Sequence, residues 1–252
     1  MLKSPSLLCV VLLIVLPGRF TLRSEESTVP VRGGGKYSWM TTEKWNWFHQ
    51  GDLDRAKAGP VDVLFLGDSI TECWDTRGLE VWNRVYEPMR GANFGVGGDT
   101  TQNQLWRITE GGALNGISPR VVVLMIGTNN IGLLKEKPAE VAKGVAAIID
   151  VVHSRFPKCE ILLLSIFPRG RTPADEFRRP VVATNELIKS LGKREQVTWL
   201  ELWDVFLAKD GTISKEVMAD YLHPTPLGYQ IWAKAMAPTL DKLLKKTGRK
   251  KP

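Results

Sequence analysis

The chain has 252 residues, 43% of them hydrophobic and 24% charged, a balance that excludes a disordered or collagen-like protein. One substantial core fits this length, so a single α/β domain with extensions is expected rather than two domains. The net charge of +7 owes much to two local stretches, KLLKKTGRKKP at the C-terminus and PRGRTPADEFRR from Pro168; with no nucleic-acid motif beside it, it reads as solvated surface and excludes nucleic acid as a partner.

Residues 1–24 place one lysine before an apolar run from Leu7 to Leu16, closed by Pro17 and Gly18. A bilayer span takes about 20 apolar residues, so this shorter run fits the core of a secretory signal peptide. Secretion or export to a periplasm is therefore expected. PGRFTLRS lacks a clear small-x-small cleavage pattern, which leaves an uncleaved membrane anchor as the alternative. Residues 25–60 form a polar, Gly-rich arm carrying KYSWMTTEKWNWFHQ. A short helix packed against the main domain is expected there, because three tryptophans are costly to leave in water.

The main domain is expected over residues 61–245, followed by a basic tail, 246–252. Short, nearly continuous β-branched runs at Val61 to Leu66, Val121 to Ile126 and Glu160 to Ile166 predict parallel strands covered on both faces. ANFGV and VTWLEL add two more. Helical periodicity runs over Lys137 to Phe156, Asp175 to Leu191 and Pro226 to Lys245. This alternation predicts a three-layer αβα sandwich around a parallel sheet of about five strands. Ligands of such sheets bind outside the carboxyl ends of the strands, and three of those ends carry GDSITECW, GVGGDTTQ and GTNNIG.

Ser69 opens a helix after the first strand, where it serves either as an N-cap or as a nucleophile among outward-facing backbone donors. Gly98 marks either a turn or a close backbone approach to a ligand. Asn129 either closes its own turn or offers an amide to a developing oxyanion. Asp220 and His223 stand three residues apart in DYLHPTPLGY, as a helix cap with a surface histidine or as an oriented base. A serine hydroxyl needs a base within reach, and that base needs a third group to fix its tautomer. Asp68 is expected to support its loop, and His49 and His153 to be structural. Cys73 and Cys159, left after the leader, have no disulfide or zinc spacing.

Taken in order, GDSIT, NFGVGGDTT, GTNN and DxxHP resemble the four sequence blocks of the SGNH (GDSL-type) hydrolases, and the likeness covers nearly all of Val61 to Lys245. VDVLFLGDSITECW, NFGVGGDTTQNQLWRI and FPRG most resemble the platelet-activating-factor acetylhydrolase Ib catalytic-subunit branch and its bacterial relatives. The resemblance implies the flavodoxin-like hydrolase fold of that family, with Ser69 as nucleophile, His223 as general base and Asp220 as its orienting carboxylate. It further implies an oxyanion hole from the Ser69 and Gly98 N–H groups and the Asn129 amide, and no metal or organic cofactor. Cys73 stands where glycine is expected in the first block. Bacterial members near this branch are often carbohydrate acetylesterases.

The expected activity is hydrolysis of short acyl esters, with an acetylated carbohydrate as the leading small substrate. Trp74 and Trp106 are the candidates for stacking on sugar rings at the rim. Arg169, with Arg171, Arg178 and Arg179, supports the alternative of a phospholipid-directed acylhydrolase, for which contact with a membrane surface is the lesser expectation. A glycan- or lipid-binding module without turnover is the reading from another class, and the intact set of Ser, Gly, Asn, Asp and His argues against it.

Overall fold

A computed structural model describes residues 26–248, so the leader at residues 1–24 and the last four residues of the basic tail lie outside the described residues. The arm carries helix α1 (Thr42–Lys57), much longer than the short helix expected. Thr41 caps it, its hydroxyl accepting the Lys44 N–H at 3.2 Å. Strands and helices then alternate: β1 (Val63–Gly67), α2 (Ser69–Glu72), α3 (Leu79–Val85), β2 (Gly91–Gly95), α4 (Thr101–Ile108), β3 (Val121–Met125) and α5 (Thr128–Gly132). The second half adds α6 (Pro138–Arg155), β4 (Glu160–Leu164), α7 (Arg178–Lys189), β5 (Val197–Leu200) and α8 (Pro226–Lys246).

All strand pairs are parallel, in the order β2-β1-β3-β4-β5. The five strands lie where the five runs predict them, between two helical layers. Helix α7 begins later than its periodicity suggests, because the Asp175 carboxylate accepts the Phe177 N–H at 3.1 Å and holds the preceding residues in a turn.

Side chains alternate across the sheet and so build two cores. Leu64, Leu66, Val122 and Leu124 face one layer, with Leu105 of α4, Val145 and Ile148 of α6 and Val181 of α7. Val63, Phe65, Val121 and Val123 face the other, with Trp82 of α3 and Trp232 and Met236 of α8. No helix of the described residues is long and apolar enough to cross a membrane.

The sheet order fixes where a site can form. From the central β1 the chain passes outward to β2, then returns to place β3 on the other side of β1. Loops leaving these neighbouring ends diverge, and a crevice opens between them.

The second core is rich in aromatic rings around Trp74, which is wholly buried. Its ring centroid lies 4.5 Å from Tyr229, 4.7 Å from Trp232 and 5.2 Å from Tyr86. A ring of this size removes about 150–250 Å² from water on burial. Trp74→Ala is therefore expected to lower the free energy of unfolding by about 3–5 kcal/mol in a urea titration, and a loss below about 1 kcal/mol would contradict this packing.

Candidate active site

Ser69 is held by the packing of its own short helix. Asp68, not Ser69, is the N-cap of α2: its carboxylate accepts the Ile70 N–H at 3.0 Å. The capping role weighed for Ser69 thus falls to its neighbour, and the serine hydroxyl is left for another partner. Glycine at the end of β2 lets α2 sit on the strand ends, since a Cβ at Gly95 would stand 2.2 Å from the Glu72 nitrogen. From the far layer, the Tyr229 hydroxyl of α8 donates to the Ile70 carbonyl at 2.6 Å and ties the last helix to the one bearing Ser69.

That partner for the hydroxyl is His223, with 2.8 Å between Ser69 Oγ and His223 Nε2. On the other side of the ring, Nδ1 lies 2.7 Å from Asp220 Oδ2. With the ring proton on Nδ1 and donated to the carboxylate, Nε2 accepts from the serine. The second oxygen of Asp220 accepts the backbone N–H groups of Leu222 and His223, at 3.1 and 2.8 Å. Burial works against a charged Asp220, but these N–H bonds and the contact with His223 outweigh it and hold the carboxyl below its usual range. Thr225, not Asp220, caps α8, with Pro226 in its first turn. Tyr221 sits between the two functional residues in the left-handed region, φ 60°, and its carbonyl accepts the Gly170 N–H at 2.8 Å.

Gly98 and Asn129 complete the expected set from the ends of β2 and β3. Gly98 has φ 81°, a region natural to glycine, and a Cβ there would meet the Trp39 ring at 2.7 Å. The Asn129 amide donates one hydrogen to the Asp99 carbonyl at 3.0 Å. Next door, the Gly97 N–H donates to the Glu72 carboxylate at 2.5 Å, so the Gly97–Asp99 loop is gripped from both sides. Asp99 in turn is fixed by Arg107 of α4 at 2.9 Å and by Trp45 Nε1 of α1 at 2.7 Å. The same guanidinium pairs with Asp52 of α1 and donates to the Phe94 carbonyl. Asp52 lies outside every motif, and Arg107 closes the stretch NFGVGGDTTQNQLWRI without a role assigned to it there. Their only cue is a charged residue on the core-facing side of a helix.

The rim differs from expectation. Trp74 is a correction: it lies in the second core, because its ring fills the space among Tyr86, Tyr229 and Trp232. Trp106 is half-buried and packs against Trp45 and His49, with the Arg32 guanidinium 5.3 Å over its ring. Arg169 turns inward, donating to the Thr128 carbonyl at 3.1 Å and lying 4.3 Å over Phe177, so it braces the start of α5 beside Asn129. Arg178 is buried and donates to the carbonyls of Arg169 and Gly170. The aromatic residue that does stand against Gly98 is Trp39, which no motif marked.

His49 has its ring nitrogen 3.0 Å from the Gly111 carbonyl, and burial together with Arg107 pushes its pKa down to about 4. Among the described residues, no group of three or more His, Cys, Asp or Glu is placed to hold a metal ion. Cys73 and Cys159 are free, and burial pushes the Cys159 thiol up to about 12.

Ser69, His223 and Asp220 are thus linked in series by hydrogen bonds at the switch point of an αβα sandwich, where ligands of such sheets bind. The chain belongs to the GDSL-like lipase/acylhydrolase family, whose model matches residues 65–231; the family acts on esters. It is 36% identical over 210 residues to the platelet-activating factor acetylhydrolase IB subunit alpha2 of Homo sapiens, covering 83% of this chain and 89% of that one. The alpha1 subunit of Bos taurus is 35% identical over 202 residues, with 80% and 84% covered. Among solved structures, a GDSL-like lipase from Bacteroides thetaiotaomicron superposes with a TM-score of 0.63 at 19% identity, over 77% of this chain and 97% of that one. An acetyl xylan esterase superposes with a TM-score of 0.60 at 20% identity, over 71% and 100%.

Burial pushes Asp68 up to about 7, against the pull of the Ile70 N–H and of Arg169. A carboxyl raised in the folded state binds its proton more tightly there than when unfolded. Its contribution to stability is therefore full below about pH 4 and is lost as the pH rises through about 7. Asp68→Asn keeps an acceptor for Ile70 and cannot ionise. Its stability relative to the parent should climb between pH 4 and pH 8, by up to about 4 kcal/mol, in urea titrations at the two pH values. A difference that does not change with pH would refute the raised carboxyl.

Proposed function

We propose that the protein is a serine esterase that removes acetyl groups from carbohydrate esters outside the cytoplasm. The observation that carries this reading is the continuous chain from Ser69 Oγ through His223 to Asp220, at 2.8 and 2.7 Å, beside Gly98 and Asn129. His223 takes the serine proton as Oγ attacks the acetyl carbonyl, and Asp220 holds the ring in the tautomer that makes this possible. The Ser69 and Gly98 N–H groups and the free hydrogen of the Asn129 amide receive the developing oxyanion. His223 then returns the proton to the departing alcohol oxygen. Water, activated by the same ring, releases acetate from the acyl-enzyme. No step calls for a metal or organic cofactor.

Acetyl is the preferred acyl group because it is the chemistry shared by the names of both kinds of similar protein, the platelet-activating factor acetylhydrolase subunits and the acetyl xylan esterase. A carbohydrate is preferred as the alcohol because the apolar run at residues 7–16 reads as a secretory signal, and glycan esters lie outside the cell. The second reading, an acetylated phospholipid, draws on the 36% identity to the acetylhydrolase subunits. Of the four arginines expected at the headgroup, Arg169 and Arg178 are occupied by backbone carbonyls, while Arg171 and Arg179 are exposed.

Ser69→Ala should lower kcat on p-nitrophenyl acetate by several orders of magnitude, and Asp220→Asn by about 10⁴ through loss of the correct tautomer. Retention of more than a tenth of the rate in either variant would defeat the assignment. Across p-nitrophenyl esters of rising chain length, kcat/KM should peak at the acetate. A peak at long chains with activation at an interface would instead support the lipid reading.

A further inference from the structure

We infer that the arm supplies the binding site for the sugar, with Trp39 and Tyr37 as the stacking platform and the cleft beside the oxyanion loop as its bed. The inference rests on the carbohydrate acetylesterase reading and names where the alcohol part of that substrate would lie. Three observations bear on this placement.

First, Trp39 is 49% exposed although its ring lies against Gly98. An indole left half in water beside the expected oxyanion donor loses favourable burial that its neighbours Met40 and Trp45 obtain. Second, the ring is held rather than loose. Tyr37 stacks on it, with centroids 5.3 Å apart and planes 9° from parallel. The turn is closed by the Tyr37–Met40 bridge and the Gly35 N–H to Met40 carbonyl bond at 3.0 Å. Lys44 Nζ donates to the Trp39 carbonyl at 3.2 Å. A rigid ring loses little conformational entropy when a ligand covers it.

Third, a cleft of about 690 Å³ opens between the arm and the oxyanion loop, lined by Arg32, Lys36, Tyr37, Gly98, Asn103 and Leu133 among others. That lies within the roughly 300–1,000 Å³ of ligand sites in general and far exceeds what a two-carbon acetyl group fills. Its lining mixes apolar surface with amide and cationic donors. Such a mixture suits a sugar, whose ring carbons present an apolar face and whose hydroxyls accept hydrogen bonds at the edge. Arg32 donates to the Asn46 side chain at 2.8 Å and Asn103 to the Val31 carbonyl at 3.0 Å, so these two donors reach the cleft already oriented.

The test compares kcat/KM for an acetylated xylo-oligosaccharide with that for p-nitrophenyl acetate in the parent, Trp39→Ala and Tyr37→Ala, with melting temperatures measured to confirm folding. The expected result is a fall of about tenfold or more in the ratio of the two values in Trp39→Ala, carried by KM for the saccharide, with partial recovery in Trp39→Phe. Calorimetric titration of the same oligosaccharide into Ser69→Ala should give a dissociation constant that rises by a similar factor when Trp39→Ala is added. If the parent deacetylates the saccharide and the ratio does not change in the variants, the arm is not the sugar site while the esterase reading stands. If the parent cleaves p-nitrophenyl acetate but no saccharide acetate, the carbohydrate reading itself fails and takes this inference with it. A ratio that falls for an acetylated lysophospholipid in place of the saccharide overturns the proposal in favour of a lipid.

Discussion

One buried guanidinium organises the site. Arg107 is fully enclosed, and it joins Asp52 of the arm, distant in sequence, to Asp99 in the loop after β2 and to the end of β2 through the Phe94 carbonyl. A buried ion pair adds little net stability over an apolar filling of equal volume, yet removing one partner leaves a charge stranded at a cost of about 3–5 kcal/mol. The value of such a group is therefore geometric. Asp99 cannot move without stranding charge, so its carbonyl stays where the Asn129 amide meets it. Because Trp45 and Asp52 both belong to α1, the arm is part of the framework that fixes this loop.

Around that fixed point, adjacency in the sheet does the rest. Ser69, Gly98 and Asn129 follow β1, β2 and β3, which are immediate neighbours, so three short loops bring them together without a long excursion of chain. Absence of side chains matters as much as their presence. Gly95 and Gly97 admit α2 and the Glu72 carboxylate to positions that a Cβ would block. A second buried network, in which Asn130 contacts Thr101 and Glu136, locks the start of α4 to α5 behind the loop.

The fold was legible because buried parallel strands must read as short continuous apolar runs, and Val121 to Ile126 or Glu160 to Ile166 do so. The reacting groups were legible for a different reason: their chemistry demands particular residue types at strand ends. What the sequence could not show was which tryptophan meets solvent. Trp74 lies two residues beyond Glu72, close to the nucleophile in sequence, and its ring turns into the core; Trp39 comes thirty residues before Ser69 and arrives at the oxyanion loop through the packing of α1. A solitary charged residue such as Arg107 carries no periodic signal, since its partners are set by tertiary contacts alone. A basic stretch looks the same whether its guanidinium groups are exposed, as at Arg171 and Arg179, or turned to carbonyl oxygens, as at Arg169 and Arg178.

The turn from Asp220 to His223 has a mechanical consequence. Base and carboxylate sit on four consecutive residues, joined by the ring contact and by the backbone bond to the same carboxylate. They therefore move as a rigid pair. Ser69 lies across from them on α2, which α8 holds through the Tyr229–Ile70 bond and the packing of Trp74 against Tyr229 and Trp232. Opening or closing the crevice therefore changes the Ser69–His223 distance and leaves the His223–Asp220 distance as it is. The Gly170–Tyr221 bond ties the arginine loop to the same turn, so a shift of that loop is felt first at the pair.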